Sequence, residues 1–355
     1  MKPDISVIMS VYNGETYLAE AIESVINQTF KNWELIIIND CSTDSTEEIL
    51  QDFALKDKRI KVHKNEVNLR LPTSLNKGIS LSQGKYIARM DADDICLPDR
   101  LEKQYEFMEE NSDVALSSCR FLTVKNGIYA SGGAGGRIDF EAIKSMLFVA
   151  NPILHPGVIA KAEVMKEFGY DTTLTCTEDL ELWTRMVSNN QKIQILPECL
   201  LIYRLHDKQI TSTTLERQHT EVLKIQNKYY GSLLEEMDIE MGEFYISGIY
   251  FKKNANIDKF LKFAKWLRDI SAEKIDKHNV DYALIEILAE YKRYGVSKID
   301  IVKAMLTFNP FFLAREIIRR KKEAREDIAK CTKVANNLGL RQTAGTKEFP
   351  IFENR

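Results

Sequence analysis

The sequence contains few cysteines, and they form no pattern typical of metal ligands or bridges. The six are widely scattered, without a Cys-x-x-Cys pair: Cys41, Cys96, Cys119, Cys176, Cys199 and Cys331. Neither a zinc site nor a disulfide framework is predicted, and a reducing compartment such as the cytoplasm is expected. The chain lacks an uninterrupted apolar run of about 18 residues, so no membrane span is predicted. The N-terminal "MKPDISVIMSVYN" leads directly into a strand pattern, so no signal peptide is expected.

Positive charge is not in excess either. The 355 residues include 49 basic and 52 acidic side chains, and the net charge of −3 gives no argument for a nucleic-acid partner. With 44% hydrophobic and 28% charged residues, the composition is typical of a soluble globular protein long enough for two domains. From Leu215 onward there are 26 basic and 21 acidic side chains, against 23 and 31 before it. The acidic first part suits a bound cation, and the basic last part suits an anionic surface.

The first hundred residues contain alternating apolar strands and amphipathic helices. Strand patterns cover 5–13, 33–40, 59–65 and 85–94, and helix patterns cover 17–28, 72–82, 98–111 and a segment that begins near Ser45. Ser45 and Glu48 have the spacing of a capping box, and Pro72 and Pro98 suit first helical turns. This alternation with short connections predicts an α/β fold, with a mostly parallel sheet between layers of helices.

Each of the four strands ends in polar residues. The ends are Tyr12-Asn13, Asn39-Asp40, Lys64-Asn65 and Asp91 to Asp94. In such sheets ligands bind outside the carboxyl ends of the strands, so one shared site is predicted there. Two carboxylates about 4 Å apart repel by roughly 4 kcal/mol at an effective dielectric near 20, and a cation would relieve this repulsion. Hard carboxylate oxygens suit Mg²⁺ or Mn²⁺. The alternative is a solvated acidic turn before a helix.

The rest of the chain divides into two parts. Strand patterns at 113–124 and 192–206, a turn at Asn126-Gly127 and a helix at 177–187 continue the α/β pattern, and the glycine-rich 131–136 is predicted to be a loop. From about Leu215 the pattern is helical, without further strands. We therefore predict an α/β domain over 1–214 and a helical C-terminal region over 215–355.

Several stretches occur in an order that resembles one enzyme family. They are "SVIMSVYNGETYLAEAIESVINQTFKNWELIIINDCSTDST", "LNKGI", "YIARMDADD", "HPGV", "TEDLELWTRM" and "YRLH". Over roughly residues 3–212 the chain is similar to family 2 glycosyltransferases, and the C-terminal part lies outside the resemblance. The resemblance implies the nucleotide-sugar-binding GT-A fold, a Mn²⁺ or Mg²⁺ ion, and sugar transfer with inversion.

The resemblance also implies roles on the donor side. Asp93 and Asp91 would bind the metal, with His206 as a further ligand, and Arg204 would lie near the diphosphate. The residues assigned to the nucleotide are Val11, Tyr12, Asn13, Glu15, Asp40, Asn68, Arg70, Asn76, Arg89, Asp91 and Ala92. Asp40 would accept a hydrogen bond from an N–H of uracil.

Alternatives stay open for several of these donor-side residues. Asp40 would instead be a cap shared with Ser42 and Asp44, and Tyr12 would pack in the core. Arg70, where many relatives have glycine, would only line the entrance. His206 would be a surface histidine at a strand end.

On the acceptor side, Glu178 and Asp179 begin the helix "TEDLELW". The resemblance makes Asp179 the base that takes the proton of the acceptor hydroxyl, with Glu178 holding the acceptor or the local network. The alternative is that both acids complement the helix dipole, with Thr177 as the N-cap. His155 in "HPGV" is assigned to the donor-sugar or acceptor pocket, and Trp183 to the core or the acceptor wall.

The C-terminal stretch 299–325 has an apolar part followed by a basic cluster. Two interpretations are open: a helix that packs on the α/β domain, or peripheral attachment to an anionic membrane.

The expected function is that of a cytoplasmic, metal-dependent, inverting glycosyltransferase. It would move a sugar from a UDP-sugar to a growing glycan, with a lipid-linked intermediate of bacterial surface polysaccharide as acceptor at the inner face of the membrane. One rival is a sugar-1-phosphate nucleotidyltransferase, disfavoured because "SVYNGETYLAE" stands where that class has a glycine-rich basic loop. The other is a non-catalytic nucleotide-sugar-binding or scaffold protein.

Overall fold

The structure is a computed structural model that describes residues 2–125, 128–131, 138–206, 215–250 and 255–274, with isolated positions between 280 and 304 and the pair 341–342. The first part alternates strands and helices as predicted. In chain order it forms β1 (Ile5–Val11), α1 (Leu18–Ile26), β2 (Trp33–Asn39), α2 (Thr46–Lys56), β3 (Ile60–Lys64), α3 (Leu71–Leu81) and β4 (Tyr86–Asp91).

These four strands are parallel and lie in the order β3, β2, β1, β4. The register pairs Val11 with Asn39 and Ser10 with Asp91, so the strands end at nearly the same level. Alternate side chains of β1 enter two cores, with Ile8 in one and Val7 in the other. This burial on both faces explains the nearly continuous apolar run of the strand. The polar residues that follow the strands therefore share one edge of the sheet, as predicted.

Two predicted helix starts differ from the structure. Ser45 is the N-cap of α2, but its side chain makes no cap hydrogen bond, so the predicted capping box is not formed. Asp44 accepts from the Thr46 amide instead, at 3.1 Å. The helix expected from Pro98 begins at Arg100, with Asp99 as the N-cap residue, and the Pro98 carbonyl accepts a hydrogen bond from the Thr29 amide at 2.8 Å.

Beyond β4 the sheet continues with strands of mixed direction. In chain order the residues form β5 (Ile95–Cys96), α4 (Arg100–Glu110), β6 (Val114–Lys125), β7 (Ile128–Ser131), α5 (Phe140–Met146), β8 (Ile159–Lys161), α6 (Ala162–Phe168), α7 (Glu178–Ser188) and β9 (Lys192–Arg204). Strand β8 is antiparallel to both β4 and β6, whereas β9 is parallel to β6 and antiparallel to β5. A mostly parallel sheet is thus correct only for the half around β1, and the whole sheet is mixed.

The predicted strand pair is the antiparallel pair β6–β7. Its turn at Asn126-Gly127 and most of the predicted loop 131–136 lie outside the described residues.

Most of the described residues after 214 are helical and pack on the α/β part. They form α8 (Leu215–Leu234), α9 (Ile239–Phe244), a π-helical segment (Tyr245–Tyr250) and α10 (Ile257–Lys274). One hydrophobic cluster joins Ile8 and Trp183 to Val222 and Phe260. A two-residue strand, β10 (Arg341–Gln342), pairs with β7, so the expectation of no strands after Leu215 is wrong. The division at residue 214 stays a prediction.

Within the described part of the chain, no helix is both long enough and apolar enough to span a membrane. Most of the stretch 299–325, for which membrane attachment or packing was left open, lies outside the described residues.

Candidate active site

Three carboxylates meet where β4 ends. Asp91 is the last residue of β4, and Asp93 and Asp94 form the turn before β5. One oxygen from each lies within 4.8 Å of the others. Asp94 is fully buried, and its Oδ1 accepts from the Arg204 amide at 2.9 Å. Burial and the charges of Asp93 and Asp91 raise the pKa of Asp94 well above its usual range. The turn is therefore not simply solvated.

This cluster fits a hard divalent cation. The Oδ2 atom of Asp94 is buried without a hydrogen-bond partner among the described residues, and a buried carboxylate oxygen without a partner is costly. A Mg²⁺ or Mn²⁺ ion would satisfy it with the type of oxygen ligand that these ions prefer. His206 Nε2 lies 2.9 Å from Asp93 Oδ2, so the structure brings together two predicted metal-site residues that are 113 positions apart.

Arg89 and Arg204 supply positive charge at the same place. The Arg89 side chain is buried, and its Nη1 donates to Asp91 Oδ2 at 2.6 Å. Arg204 reaches the cluster because β9 pairs with β5, and its Nε donates to the Asp93 carbonyl at 2.8 Å. Its guanidinium also pairs with Glu20 and lies 4.6 Å from the centre of the Tyr17 ring. Both predicted cations are therefore beside the acidic cluster.

Asp40 follows β2 and is buried. Its Oδ1 accepts from Asn65 Nδ2 at 2.7 Å and from the Leu69 amide at 2.9 Å. These partners differ from the cap with Ser42 and Asp44 that was the alternative. Because the Asp40 hydrogen bonds with described residues use Oδ1, Oδ2 is left to accept from an N–H of a ligand.

The loops after β1 and β2 brace each other. Val11 is buried, and its carbonyl accepts from the Asp40 amide at 2.8 Å. Asn13 has a φ of 52°, and its Oδ1 accepts from the Thr43 amide at 2.8 Å. Glu15 Oε2 accepts from the Ser45 amide at 3.1 Å, so this predicted nucleotide ligand holds the neighbouring loop. Tyr12 is 52% exposed, so the alternative of core packing is wrong.

The remaining predicted nucleotide residues differ in availability. Asn68 and Arg70 are exposed at the start of α3, and Ala92 is half-buried within the acidic turn. Asn76 lies on α3 but uses both ends of its amide on the Tyr170 backbone, at 2.9 and 2.8 Å. Its amide therefore fastens α3 to residue 170.

Glu178 and Asp179 open α7, and their environments differ. Asp179 is half-buried, and its two oxygens accept from Asn151 Nδ2 at 2.8 Å and the Leu180 amide at 2.7 Å. Glu178 is buried, with Oε2 unpartnered among the described residues. Burial, assisted by the charge of Asp179, raises the pKa of Glu178 to about 8. Thr177 occupies the N-cap position and both acids lie in the first turn, as the alternative requires, but the side chain of Thr177 makes no cap hydrogen bond.

His155 lies beside this pair but is buried. Its Nε2 is 2.7 Å from the Tyr170 hydroxyl, and its Nδ1 is 3.9 Å from Glu178 Oε1. Trp183 is fully buried and meets the His155 ring edge-on, with 5.8 Å between ring centres. Of the two alternatives given for Trp183, the structure therefore supports the core.

Several supporting residues were not singled out from the sequence: Tyr170, Asn151, Glu20 and Arg100. Arg100 is fully buried at the start of α4, where it donates to the carbonyls of Arg89 at 2.8 Å and Val158 at 3.3 Å. Of these residues, Arg100 alone could have been noticed from the local sequence, because a cation in the first turn of a helix is unfavourable for the helix dipole and so suggests another role. The others act on partners that are distant in sequence.

Comparisons with known proteins identify the family. The family model "Glycosyl transferase family 2" matches residues 6–160. An uncharacterised glycosyltransferase of Methanocaldococcus jannaschii is 39% identical over 61% of this chain and 76% of that protein. One from Haemophilus influenzae is 32% identical over 89% of this chain and 98% of that protein. A putative teichuronic acid biosynthesis glycosyltransferase, TuaG of Bacillus subtilis, is 33% identical over 59% of this chain and 82% of its own length.

Solved structures show the fold. S. aureus TarS in complex with UDP-GlcNAc superposes with a TM-score of 0.55 at 17% identity, over 85% of this chain and 89% of that chain. The Pyrobaculum calidifontis mannosyltransferase PcManGT, in complex with GDP-Man and Mn²⁺, has a TM-score of 0.53 at 15% identity, over 90% and 87%. This chain therefore has the GT-A fold. By its sequence relatives, this chain is a glycosyltransferase that belongs to glycosyltransferase family 2.

Proposed function

We propose that this glycosyltransferase transfers a hexose or N-acetylhexosamine, with inversion, from a UDP-sugar to a hydroxyl of a growing surface polysaccharide. The observation that carries the proposal is the meeting of two acidic groups at one sheet edge. Arg89 joins the cluster Asp91, Asp93 and Asp94 to the pair Glu178–Asp179. Its guanidinium binds Asp91, and its amide donates at 3.0 Å to the Val158 carbonyl, three residues after His155, which lies 3.9 Å from Glu178. One group suits a cation and diphosphate, and the other suits an acceptor hydroxyl.

On the donor side, Asp40 Oδ2 accepts from the N–H of the base. Asp91, Asp93 and Asp94 would hold a divalent cation, which would supply positive charge for the departing nucleoside diphosphate. Arg204 and the exposed Arg70 add positive charge to the same side. The UDP-GlcNAc and GDP-Man complexes of the two structural neighbours support a nucleotide-sugar donor, and the Mn²⁺ of one supports the cation.

On the acceptor side, Asp179 is the base. Burial raises the pKa of Glu178 to about 8, so this carboxyl is mostly neutral at neutral pH and is suited to donate a hydrogen bond to the acceptor. Asp179 takes the proton of the acceptor hydroxyl while the oxygen of that hydroxyl bonds to the anomeric carbon. The bond from that carbon to the diphosphate oxygen breaks, and its electron pair leaves with the nucleoside diphosphate. A single displacement of this kind inverts the anomeric centre.

The names of two relatives support the proposed acceptor. TuaG carries teichuronic acid biosynthesis in its name, and the E. coli relative WbnJ, 34% identical over 59% of this chain, carries O-antigen biosynthesis. We extend this to a lipid-linked intermediate at the cytoplasmic face of the membrane as acceptor.

The first test is a calorimetric titration of the protein with UDP, GDP and CDP, each with Mn²⁺ and with EDTA. Binding of UDP alone, and only with Mn²⁺, is the expected result. Asp93→Ala should abolish this binding while the thermal midpoint stays near that of the wild type. Binding of UDP in EDTA by both the wild type and Asp93→Ala would contradict the proposal that the acidic cluster binds a metal ion needed for nucleotide binding. Tight binding of GDP or CDP would change the donor, and no binding of any nucleotide would favour the non-catalytic alternative.

The second test concerns the base. Asp179→Asn keeps the shape of the side chain and should lower turnover by about 10²–10⁴-fold, the usual contribution of a general base. Release of UDP from a panel of UDP-hexoses and UDP-N-acetylhexosamines, with water in place of the acceptor, measures it. Unchanged turnover would exclude Asp179 as the base.

A further inference from the structure

Glu221 of α8 holds the three residues that lead into Glu178 and Asp179. It is buried, and its oxygens accept from the Thr177 hydroxyl at 2.8 Å, the Thr175 hydroxyl at 3.0 Å and the Thr175 amide at 3.2 Å. The Cys176 amide also donates, at 3.3 Å. Burial raises the pKa of Glu221, but these hydrogen bonds outweigh that effect and hold the pKa below its usual range. One charged acceptor from the C-terminal helices thus gathers donors from three consecutive residues.

This contact explains the unusual start of α7. A threonine before a helix ordinarily uses its hydroxyl to cap the first turn. The Thr177 hydroxyl donates to Glu221 instead, and the residue makes no side-chain cap hydrogen bond. The position of the first turn, and with it that of Asp179, is therefore set by α8 and not by a local cap.

The C-terminal helices also support the other segment that touches Asp179. Asn151, which donates to Asp179 Oδ2 at 2.8 Å, lies two residues beyond the turn at residues 147–149. The Leu147 carbonyl accepts from Gln226 of α8 at 3.3 Å, and the Phe148 carbonyl accepts from the Tyr245 hydroxyl. The segments that precede Asn151 and Asp179 are thus both fastened to the C-terminal helices.

We propose that Glu221 is a positioning residue for the transfer reaction, which holds Asp179 through residues 175–177. The proposal rests on the proposed function, because it requires Asp179 to be the base. It gives the C-terminal helices a part in the chemical step, in addition to any contact with acceptor or membrane. A displacement of about 1 Å at a reacting group can lower the rate on the order of 10²-fold.

Glu221→Gln tests the proposal with little change in volume. One oxygen becomes an NH₂ group, which cannot accept, so the loop loses part of its anchor. We expect kcat for UDP release to fall at least tenfold, while KM for the UDP-sugar and the Mn²⁺-dependent affinity for UDP stay within twofold. Tyr229→Phe is the matched control, because it removes another α8–α7 hydrogen bond, from the Tyr229 hydroxyl to Glu181 at 2.6 Å, without touching the loop. It should keep the wild-type kcat.

Thr177→Val removes the donor of the shortest of these bonds, the one from the Thr177 hydroxyl to Glu221 at 2.8 Å. It should also lower kcat while KM for the UDP-sugar stays within twofold. It serves if the Glu221 variant fails to fold. Equal loss of kcat in Tyr229→Phe and Glu221→Gln would show a general packing effect and overturn the proposal.

The double variant Asp179→Asn/Glu221→Gln separates the two claims. If Glu221 acts through Asp179, the double variant should be no slower than Asp179→Asn alone. A full additional loss would mean that Glu221 acts elsewhere. If Asp179→Asn is slow and Glu221→Gln is as fast as wild type, the inference fails and the proposed function stands. If Asp179→Asn is itself as fast as wild type, the base assignment fails, and the inference fails with it.

Discussion

At the scale of single residues, the backbone of Arg70 has a conformation that is unusual for a residue with a side chain. Its φ of 69° and ψ of 164° lie in a region that is essentially restricted to glycine, where another residue costs roughly 1–3 kcal/mol. As noted in the sequence analysis, many members of the family have glycine where this chain has Arg70. Arg70 stands at the exposed start of α3, after a strand that ends at the site edge. A strained residue with a positive charge at that edge fits the proposed contact with the donor diphosphate.

Replacement of Arg70 separates strain from charge. Arg70→Gly should raise the free energy of unfolding by about 1 kcal/mol, since relief of strain exceeds the roughly 0.5–1 kcal/mol that glycine costs in backbone entropy. Arg70→Ala keeps Cβ and should give no such gain. If Arg70 contacts the diphosphate, both variants should raise KM for the UDP-sugar. Urea denaturation and donor kinetics measure the two effects, and equal stability of both variants would contradict the strain.

Glu178 is a second residue whose environment is costly. Its folded-state pKa near 8 lies far above the usual 4.5 of an exposed glutamate. Between these pH values the unfolded chain has released the proton and the folded chain has kept it. The unfolded state then binds fewer protons, so the free energy of unfolding falls as pH rises, by at most about 1.4 kcal/mol per pH unit.

Glu178→Gln should therefore become more stable relative to the wild type between pH 5 and pH 8. The two proteins should differ least near pH 4.5, where the penalty vanishes. Urea denaturation in EDTA measures this across the range, with the exposed Glu23→Gln as the control for loss of a surface carboxylate. A constant difference between Glu178→Gln and wild type would contradict a raised pKa.

At the scale of elements, the contact of α3 with β1 depends on Gly78. A Cβ at this position would overlap Cγ2 of Ile8. The absence of a side chain lets the helix lie close to the central strand, which fixes the height of α3 above the sheet edge. Through Asn76 the same helix is fastened to the Tyr170 backbone, and the Tyr170 hydroxyl meets His155.

Gly78→Ala should accordingly destabilise the protein. Alanine improves helix propensity by about 1 kcal/mol, but overpacking a core costs about 1–3 kcal/mol. We expect a net loss of about 1–2 kcal/mol in urea denaturation. Gly242→Ala in α9, where no atom lies within 4 Å of the added Cβ, is the matched control and should be neutral or stabilising. A gain in Gly78→Ala equal to that of the control would show that α3 moves freely.

The elements also show what the sequence can and cannot predict. The strands and helices from β1 to β4, and helix α4, could be placed, because the spacing of their apolar residues and the residues that end them are local signals. The short strand β5 was not predicted. The shared edge followed from parallel strands that end at nearly the same level. The long-range contacts that position the acidic residues of the site could not be predicted from the sequence. Glu221 and Thr177 are 44 residues apart, and Arg204 and Glu20 are 184 apart, so neither pair leaves a local pattern.

At the scale of the whole molecule, the two predicted parts share one hydrophobic core. Val222, Ile225, Phe260 and Phe263 are each at most 2% exposed and belong to the cluster that contains Trp183 and Ile8. Burial of each such side chain contributes about 1.5–3 kcal/mol, so the four together contribute about 6–12 kcal/mol. This is comparable with the whole free energy of unfolding of an ordinary protein. Residue 214 would then mark a change in the sequence pattern, while the residues on either side of it unfold together as one cooperative unit.

We therefore predict that the described α/β and helical parts unfold in a single transition. The three tryptophans report on different places: Trp33 lies in the second core, Trp183 in the shared core, and Trp266 on α10 packs against the shared core. Variants that keep one tryptophan each, with phenylalanine at the other two positions, should give coincident urea midpoints by fluorescence and by far-UV circular dichroism. The fragment 1–214 should bind UDP poorly and lack a cooperative transition, because its half of the shared core would face water. Separate midpoints for Trp33 and Trp266, together with a fragment that melts cooperatively, would show that residues 1–214 are an independent domain.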